Sequence, residues 1–182
     1  MNSLNLRNIV EELIKTFIEA GDVAQDISRR GVKITIKPDN SPVTDGDLAV
    51  DKILKKKINN ISPNIPIVSE ENVNLNIDTK GGAFWLIDPI DGTKNYIKKG
   101  EEYTLNAALI VDFKPALGIV YAPEKKRLFF SYGKNQAFEI NKGERLVLNC
   151  KKVHNNEIIG LENSAVTPVE ILNIYKKYKV TK

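Results

Sequence analysis

The hexapeptide Asp-Pro-Ile-Asp-Gly-Thr at residues 88–93 combines residue types that suit a divalent metal ion and a phosphate group. Pro89 fixes φ and pre-forms a turn, which can bring the two carboxylates to one side. The same turn can point the Ile90 carbonyl inwards as a further oxygen ligand. Gly92 lets backbone approach an anion closely, and Thr93 offers a hydroxyl at a helix start, where free N–H groups favour phosphate. The segment therefore predicts metal ligands and a phosphate cradle side by side.

Further acidic side chains follow apolar segments elsewhere in the chain. Asp47 lies on a predicted helix, while Glu70 and Glu71 follow a short apolar run, as Asp88 and Asp91 do. Converging carboxylates repel one another unless a cation joins them. Oxygen donors without a nearby His or Cys favour Mg²⁺ or Mn²⁺ over zinc. Taken singly, an Asp-Gly pair is also typical of a simple turn and a Glu pair of a solvated loop. The combination favours a metal site.

Two helices are predicted to lead into the acidic residues. Apolar residues recur at helical spacing over residues 4–29, and alternation over residues 32–37 indicates a strand. A turn is predicted at residues 38–42, after which Thr44 can cap a second helix over residues 45–58. The apolar stripe of this second helix is predicted to consist of Leu48, Ile53, Leu54, Lys57 and Ile58.

After residue 63 the pattern changes to short apolar runs separated by turn residues. Strands are predicted at residues 65–68, 84–87, 104–111, 116–121, 127–132, 136–140 and 145–148. Connections of two to six residues between most of them predict an antiparallel meander. A strand at 158–161 and a helix at 168–178 follow.

The order of these elements predicts an α+β fold, a layered sandwich with two long N-terminal helices packed on an antiparallel sheet. Residues 1–150 are expected to form an N-terminal α+β metal-binding domain. Residues 151–182 are expected to begin a C-terminal α/β lobe that is truncated.

Composition excludes several classes of partner. No apolar run approaches the roughly 20 residues that span a bilayer, and the N-terminus does not resemble a signal peptide. The one cysteine, Cys150, fits a reducing cytoplasm, which is the predicted location. Most of the 27 basic residues are lysines, and the net charge is +4. Their clusters favour solvated helix faces over a nucleic-acid interface, which typically uses arginine forks and interleaved aromatics.

Three segments together are similar to the signature of the inositol monophosphatase superfamily. Glu70 and Glu71 followed by residues 88–93 resemble its central motif. Residues 42–47 resemble its upstream element, in which a threonine and an aspartate open the second helix. The resemblance covers roughly residues 5–150, and it is most specific at the hexapeptide.

Within the superfamily, three features resemble the 3′(2′),5′-bisphosphate nucleotidase branch. They are Lys94 directly after Gly92-Thr93, the strand at residues 104–110, and the strand and turn at residues 118–123. Asn95-Tyr96 is closer to the inositol-phosphatase pattern. The resemblance implies a hydrolase that removes the 3′-phosphate of adenosine 3′,5′-bisphosphate, with a role in sulfur metabolism. Inositol monophosphate hydrolysis is the alternative. Lys94 itself is interpreted equally as a phosphate contact or as a solvated charge.

The resemblance also implies a role for each matching residue. The metal ligands would be Glu70, Asp88, the Ile90 carbonyl and Asp91. The substrate-binding residues would be Glu70, Ile90, Asp91, Gly92 and Thr93. Asp47 and Thr93 would position and activate the attacking water, in metal-assisted phosphate chemistry with two or three Mg²⁺ ions. Mn²⁺ is expected to substitute for Mg²⁺, and Li⁺ to inhibit.

One part of the family pattern has no counterpart in the sequence. The family supplies a further metal-binding aspartate from a Trp-Asp motif in a second lobe, whereas Trp85 is followed by Leu86 and no Asp lies beyond Asp112. A catalytically inactive remnant is therefore the alternative to an enzyme. A homodimer or a separately encoded C-terminal lobe is the expected protein partner, and a small phosphate ester is the expected ligand.

Overall fold

The structure is a computed structural model that describes residues 3–71, 82–149, 158–160 and 167–181. The chain divides into two compact units, residues 1–148 and 149–182. The larger unit contains α1 (Ser3–Arg30), β1 (Ile34–Ile36), β2 (Pro42–Thr44), α2 (Asp45–Ile61), β3 (Ile67–Ser69), β4 (Ala83–Asp91), α3 (Thr93–Ile97), β5 (Thr104–Val111), β6 (Lys114–Ala122), β7 (Arg127–Tyr132), β8 (Ala137–Asn141) and β9 (Glu144–Val147). The smaller unit contains β10 (Ile158–Ile159), α4 (Val169–Tyr178) and β11 (Val180–Thr181), with β10 and β11 parallel. Cys150 lies outside the described residues.

Seven strands of the larger unit form one sheet in the order β3-β4-β5-β6-β7-β8-β9. The predicted sheet was wholly antiparallel, and this is wrong at one edge, where β3 runs parallel to β4. A parallel pair needs a long connection, and the segment between Ser69 and Ala83 is long enough for one. The predicted turn at residues 38–42 is also shorter than expected, because Pro42 opens β2, which pairs with β1 in a separate hairpin.

Helices α1 and α2 pack against the sheet, so the predicted α+β class with helices on a sheet is confirmed. The sheet itself is mixed, because of the parallel pair at its edge. The hydrophobic core lies between these layers. Its fully buried large side chains are Phe17, Leu13, Leu54, Ile58, Trp85, Ile87, Ile90, Tyr96, Leu105, Leu109, Leu117 and Ile119.

The buried stripe of α2 differs from the predicted one in a way that matters for function. Leu48 is 55% exposed, and the buried positions are Asp47, Val50, Leu54 and Ile58 together with Gly46. Residues 47, 50, 54 and 58 share one helix face by their spacing, and residue 48 is rotated away from it. A carboxylate therefore occupies the core-facing first turn of α2.

Strand β4 is fixed to the end of α2 by a buried polar contact. The Trp85 indole donates from Nε1 to Ser62 Oγ at 2.9 Å, and the Ser62 hydroxyl donates to the Ile58 carbonyl at 2.8 Å. Trp85 and Ile87 face the helices, whereas Leu86 lies on the other face with 47% exposure. In the described part of the chain, no helix is both long and apolar enough for a membrane crossing.

Candidate metal centre

A β-bulge sets the direction of the two aspartates in the hexapeptide. The sequence predicted that the strand would end at Asp88, but β4 continues to Asp91. Asp88 pairs with Asn106 and Asp91 with Thr104, so three steps along β4 match two steps along β5. Side chains three residues apart on a regular strand point to opposite faces, whereas the extra residue of a bulge restores the same face. The bulge, rather than a tight turn at Pro89, therefore brings Asp88 and Asp91 to one side.

Asp88 lies in an environment that disfavours its negative charge. Burial, followed by the negative charges of Glu70 and Asp91, raises the pKa of the Asp88 carboxyl to about 7. Its Oδ1 atom is buried and has no hydrogen-bond partner. An unpartnered buried carboxylate oxygen among like charges is costly unless a cation or a proton reaches it. Asp88 is therefore the residue of the predicted set with the clearest need for a cation.

Asn106 is a second polar residue at this position, and sequence reasoning did not single it out as a site residue. It is the cross-strand partner of Asp88, and its Oδ1 is likewise buried without a hydrogen-bond partner. Residues directly opposite on paired strands present their side chains to the same face. The signal in the sequence was an amide inside the otherwise apolar strand at 104–111, which is unusual at a half-buried position.

Asp47 is held by the capping box at the start of α2. Thr44 donates to Asp47 Oδ2 from its backbone N at 2.7 Å and from Oγ1 at 2.5 Å. Thr44 Oγ1 in turn accepts from the backbone N–H groups of Gly46 and Asp47. Burial raises the pKa of Asp47, although the hydrogen bonds from Thr44 oppose the rise. The predicted Thr44 cap is thus confirmed, and it fixes the carboxylate for which the family resemblance implies a role in water activation.

The single-turn helix α3 places Thr93 next to the bulge. The Thr93 hydroxyl donates to the Ile90 carbonyl at 3.0 Å, so two predicted site groups contact each other directly. Gly92 precedes the helix with φ +93°, and a Cβ there would lie 2.8 Å from the Glu102 carbonyl oxygen. Glycine is required at this position because an L side chain would be strained and would also clash.

Tyr96 connects α3 to both long helices. Its hydroxyl donates to the Ala24 carbonyl of α1 at 2.7 Å. Its ring lies against Gly46 in α2, where any Cβ would collide with the Tyr96 hydroxyl. This packing holds the start of α3 beside the first turn of α2, which carries Asp47.

Glu70 and Glu71 follow β3 at the sheet edge next to β4. The Glu70 backbone N–H donates to the Ile87 carbonyl at 3.1 Å, which continues the strand pairing towards Asp88. The Glu70 side chain is 48% exposed and that of Glu71 only 4%, and both pair with Lys37. The Ser69 hydroxyl donates to Asp51 Oδ1 at 2.5 Å, which ties this strand end to α2.

The structure thus brings Asp88 within range of the charges of Glu70, Asp91 and Asp47 without closing these carboxylates around an ion. Among the described ranges, no group of three or more Asp, Glu, His or Cys side chains is arranged to hold a metal as it stands. The donor chemistry nevertheless fits a hard divalent cation, because the available groups are carboxylate, carbonyl and amide oxygens. The unpartnered oxygens of Asp88 and Asn106 mark where such a cation would relieve an unfavourable environment.

The chain is similar to a known protein family, to curated proteins and to solved structures. A model of the "Inositol monophosphatase family" matches residues 5–179. The chain is 33% identical over 166 residues to the 3′(2′),5′-bisphosphate nucleotidase CysQ of Buchnera aphidicola subsp. Acyrthosiphon pisum, covering 84% of this chain and 63% of the relative.

Two solved structures share the fold. CysQ from Bacteroides thetaiotaomicron superposes with a TM-score of 0.73 at 24% identity, over 95% of this chain and 69% of that one. An IMPase/NADP phosphatase complexed with Mg²⁺ and phosphate gives a TM-score of 0.66 at 24% identity, over 74% of this chain and 51% of that one. The chain spans less than two thirds of the length of the curated relative that it matches.

Proposed function

Because this chain belongs to the inositol monophosphatase family, we propose that the end of β4, from Asp88 to Asp91, is the metal-binding part of a Mg²⁺-dependent phosphomonoesterase site. The observation that carries the proposal is the Asp88 carboxyl, buried with an unpartnered oxygen and surrounded by the charges of Glu70 and Asp91. A divalent cation is a ligand that would relieve such a group above the pH at which a proton does so. The solved relative with bound Mg²⁺ and phosphate supports the choice of metal.

The residues that would hold Mg²⁺ are Glu70, Asp88, Asp91 and the Ile90 carbonyl, and we add Asn106 beside Asp88 to this set. Two or three ions would share these ligands, and Mn²⁺ would serve in place of Mg²⁺. When bound, the metal lowers the pKa of a coordinated water and offsets charge on the phosphate.

Asp47 and Thr93 would position and activate the attacking water, with the Asp47 carboxylate as the group able to accept its proton. The capping box fixes Asp47, and its raised pKa makes the carboxylate a stronger base than an exposed aspartate. Thr93 is fixed by its hydrogen bond to the Ile90 carbonyl, so its position is tied to the bulge that carries Asp88 and Asp91. Gly92 has no side chain to obstruct an anion that approaches the start of α3. These contributions are positioning and proton transfer, which is the protein's share in phosphoryl transfer.

The proposed substrate is the 3′-phosphate of adenosine 3′,5′-bisphosphate, because the named relative at 33% identity is a bisphosphate nucleotidase. Inositol monophosphate is the second candidate, favoured by Asn95-Tyr96 within the motif. The cytoplasm remains the predicted location. A homodimer or a separately encoded lobe remains the proposed protein partner.

Phosphate release from each substrate tests the proposal. The purified chain with Mg²⁺ is expected to hydrolyse the bisphosphate, and Asp88→Asn to lower the rate about 100-fold or more, because a metal ligand is lost. Asp112→Asn is the matched control, since Asp112 is exposed in the β5–β6 turn. Li⁺ is expected to inhibit.

Three other outcomes discriminate the alternatives. Release from inositol phosphate alone would favour the second substrate. No release above Asp88→Asn with either substrate would overturn the enzyme assignment for this chain alone and favour the inactive remnant. Activity that appears only with a co-expressed second lobe would favour the split protein.

A further inference from the structure

Lys37 reaches from the β1–β2 hairpin to the acidic edge of the sheet, which is formed by Glu70 and Glu71 after the edge strand β3. Its backbone is fixed in the hairpin, because its N–H donates to the Ser41 carbonyl at 2.8 Å and its carbonyl accepts from Asn40 N at 2.9 Å. Its side chain is 18% exposed, which is low for a lysine. The ammonium group therefore has a defined position rather than a solvated one.

Two carboxylates at the end of β3 contact this ammonium unequally. Lys37 Nζ lies 2.9 Å from Glu71 Oε2 and 3.6 Å from Glu70 Oε1. Glu71 is the buried partner, and Glu70 is the exposed one that the proposed function assigns to the metal. Lys37 is thus bound firmly to one glutamate and loosely to the other.

The charges around the Lys37 ammonium explain why a positive side chain is favourable at this position. Burial raises the pKa of Glu71, the hydrogen bond and charge of Lys37 oppose that rise, and the charges of Asp47 and Glu70 add to it. Burial acts to lower the pKa of Lys37, but the two glutamates outweigh this effect and raise it. A buried carboxylate that loses its partner is strongly destabilising. Lys37 therefore supplies, from within the chain, positive charge that the acidic edge needs.

We propose that Lys37 is a positioning residue that acts as an internal counter-cation: it holds Glu70 and Glu71 in the metal-free protein and competes with the divalent metal for Glu70. The inference rests on the proposed function, because it takes Glu70 as a metal ligand. Metal binding would open the longer Lys37–Glu70 contact and keep the shorter Lys37–Glu71 contact. Lys37 would thereby preserve the site between metal-binding events, at the expense of metal affinity.

Direct measurement of metal binding tests this competition. Lys37→Met keeps the length of the side chain and removes its charge. Isothermal titration calorimetry with Mg²⁺ is expected to show about tenfold tighter binding by Lys37→Met, since a positive charge close to the site is lost. Thermal unfolding without metal is expected to show a midpoint several degrees lower, because Glu71 loses its partner. Lys33→Met, an exposed lysine beside the same hairpin, should change neither quantity.

The outcomes separate this inference from the proposed function. Mg²⁺ binding by the unmodified chain with equal or weaker binding by Lys37→Met would overturn the inference and leave the proposed function standing. Absence of Mg²⁺ binding by both proteins would overturn both. Binding by Lys37→Met alone would support the inference. If Lys37→Met does not fold, the double variant with Glu71→Gln, compared with Glu71→Gln alone, provides the same test without a buried unpaired charge.

Discussion

At the β9 end of the sheet, charged and aromatic side chains are matched in pairs, whereas at the β4 end like charges are gathered and two oxygens lack partners. Arg145 of β9 binds Glu11 of α1 through two hydrogen bonds of 2.6 and 2.7 Å. The hydrogen bond and charge of Arg145 lower the pKa of Glu11, so this pair stabilises the folded state. Arg127 pairs similarly with the buried Glu139.

The contrast indicates that the end of β4 contributes less to the stability of the larger unit than the β9 end does. Among the described residues, the buried side-chain polar atoms without hydrogen-bond partners are Asp88 Oδ1 and Asn106 Oδ1, which belong to one register pair. Most buried polar groups in proteins are satisfied, so such a concentration indicates a site that expects a ligand. We therefore propose that the β9 end stabilises the fold and that the end of β4 binds a ligand.

The largest expected effect comes from the core at the β9 end. Phe130 is 3% exposed and stacks with Tyr132 and Phe138 at ring-centroid distances of 6.3 and 5.1 Å. Phe130→Ala should lower the free energy of unfolding by about 3–5 kcal/mol, with Mg²⁺ affinity unchanged in the folded protein. Phe113→Ala, at a side chain that is 79% exposed, should cost less than about 0.5 kcal/mol. Chemical denaturation with calorimetric Mg²⁺ titration measures both quantities. A loss of Mg²⁺ affinity in Phe130→Ala would break the proposed division.

Two glycines with positive φ sharpen the comparison at the level of the backbone. Gly92→Ala combines a strained φ with a Cβ 2.8 Å from the Glu102 carbonyl, so about 2–3 kcal/mol should be lost. Gly133→Ala has φ +70° but no atom within 4 Å of its Cβ, and about 1 kcal/mol should be lost. Urea denaturation compares the two. Equal losses would mean that the contact with Glu102 does not constrain the start of α3.

The pH dependence of stability should originate at the β4 end. The pKa of Asp88 is about 7 in the folded protein against an ordinary 3.8, so the folded state holds the proton more tightly. This contribution to stability is present below about pH 4 and is lost as pH rises through about 7. The unfolding midpoint of Asp88→Asn minus that of the unmodified chain should therefore grow between pH 4 and pH 8 without metal. Asp112→Asn should show no such trend. A pH-independent difference for Asp88→Asn would contradict the account.

The smallest expected stability effect is at Asn106. Asn106→Ala removes an oxygen that makes no hydrogen bond, so the free energy of unfolding should change by only about 0.5 kcal/mol without metal. Mg²⁺ affinity should fall about three- to tenfold, because an oxygen donor beside Asp88 is lost. Asn141→Ala in β8 is the matched control, for which affinity should not change. Unaltered Mg²⁺ binding in Asn106→Ala would remove Asn106 from the proposed site.

The sequence predicted those parts of the molecule that depend on local spacing. The helical period of α1 and the Thr44 cap both involve residues close together in the chain, where steric and hydrogen-bonding preferences act directly. The exposure of Leu48 was missed because a carboxylate, Asp47, takes a core-facing position that a hydrophobic pattern assigns to apolar side chains.

Features that depend on pairing between strands could not be predicted. The bulge that aligns Asp88 with Asp91 is visible only in the register of β4 against β5. The roles proposed for Asn106 and Lys37 likewise depend on residues from other segments of the chain, namely Asp88 opposite Asn106 and the two glutamates after β3 beside Lys37. Register and ion pairing across the sheet are tertiary properties, and no local pattern encodes them.

Thermal unfolding is the most direct test of the claim that the end of β4 is a metal centre. The unmodified chain and Asp88→Asn are each measured with and without saturating Mg²⁺ at a pH above 7. Mg²⁺ at about 100 times its Kd should raise the midpoint of the unmodified chain by about 5–10 °C. Asp88→Asn should gain little, because its buried oxygen no longer carries the charge that draws the cation. Equal gains in the two proteins would contradict the claim that Asp88 holds a metal at the end of β4.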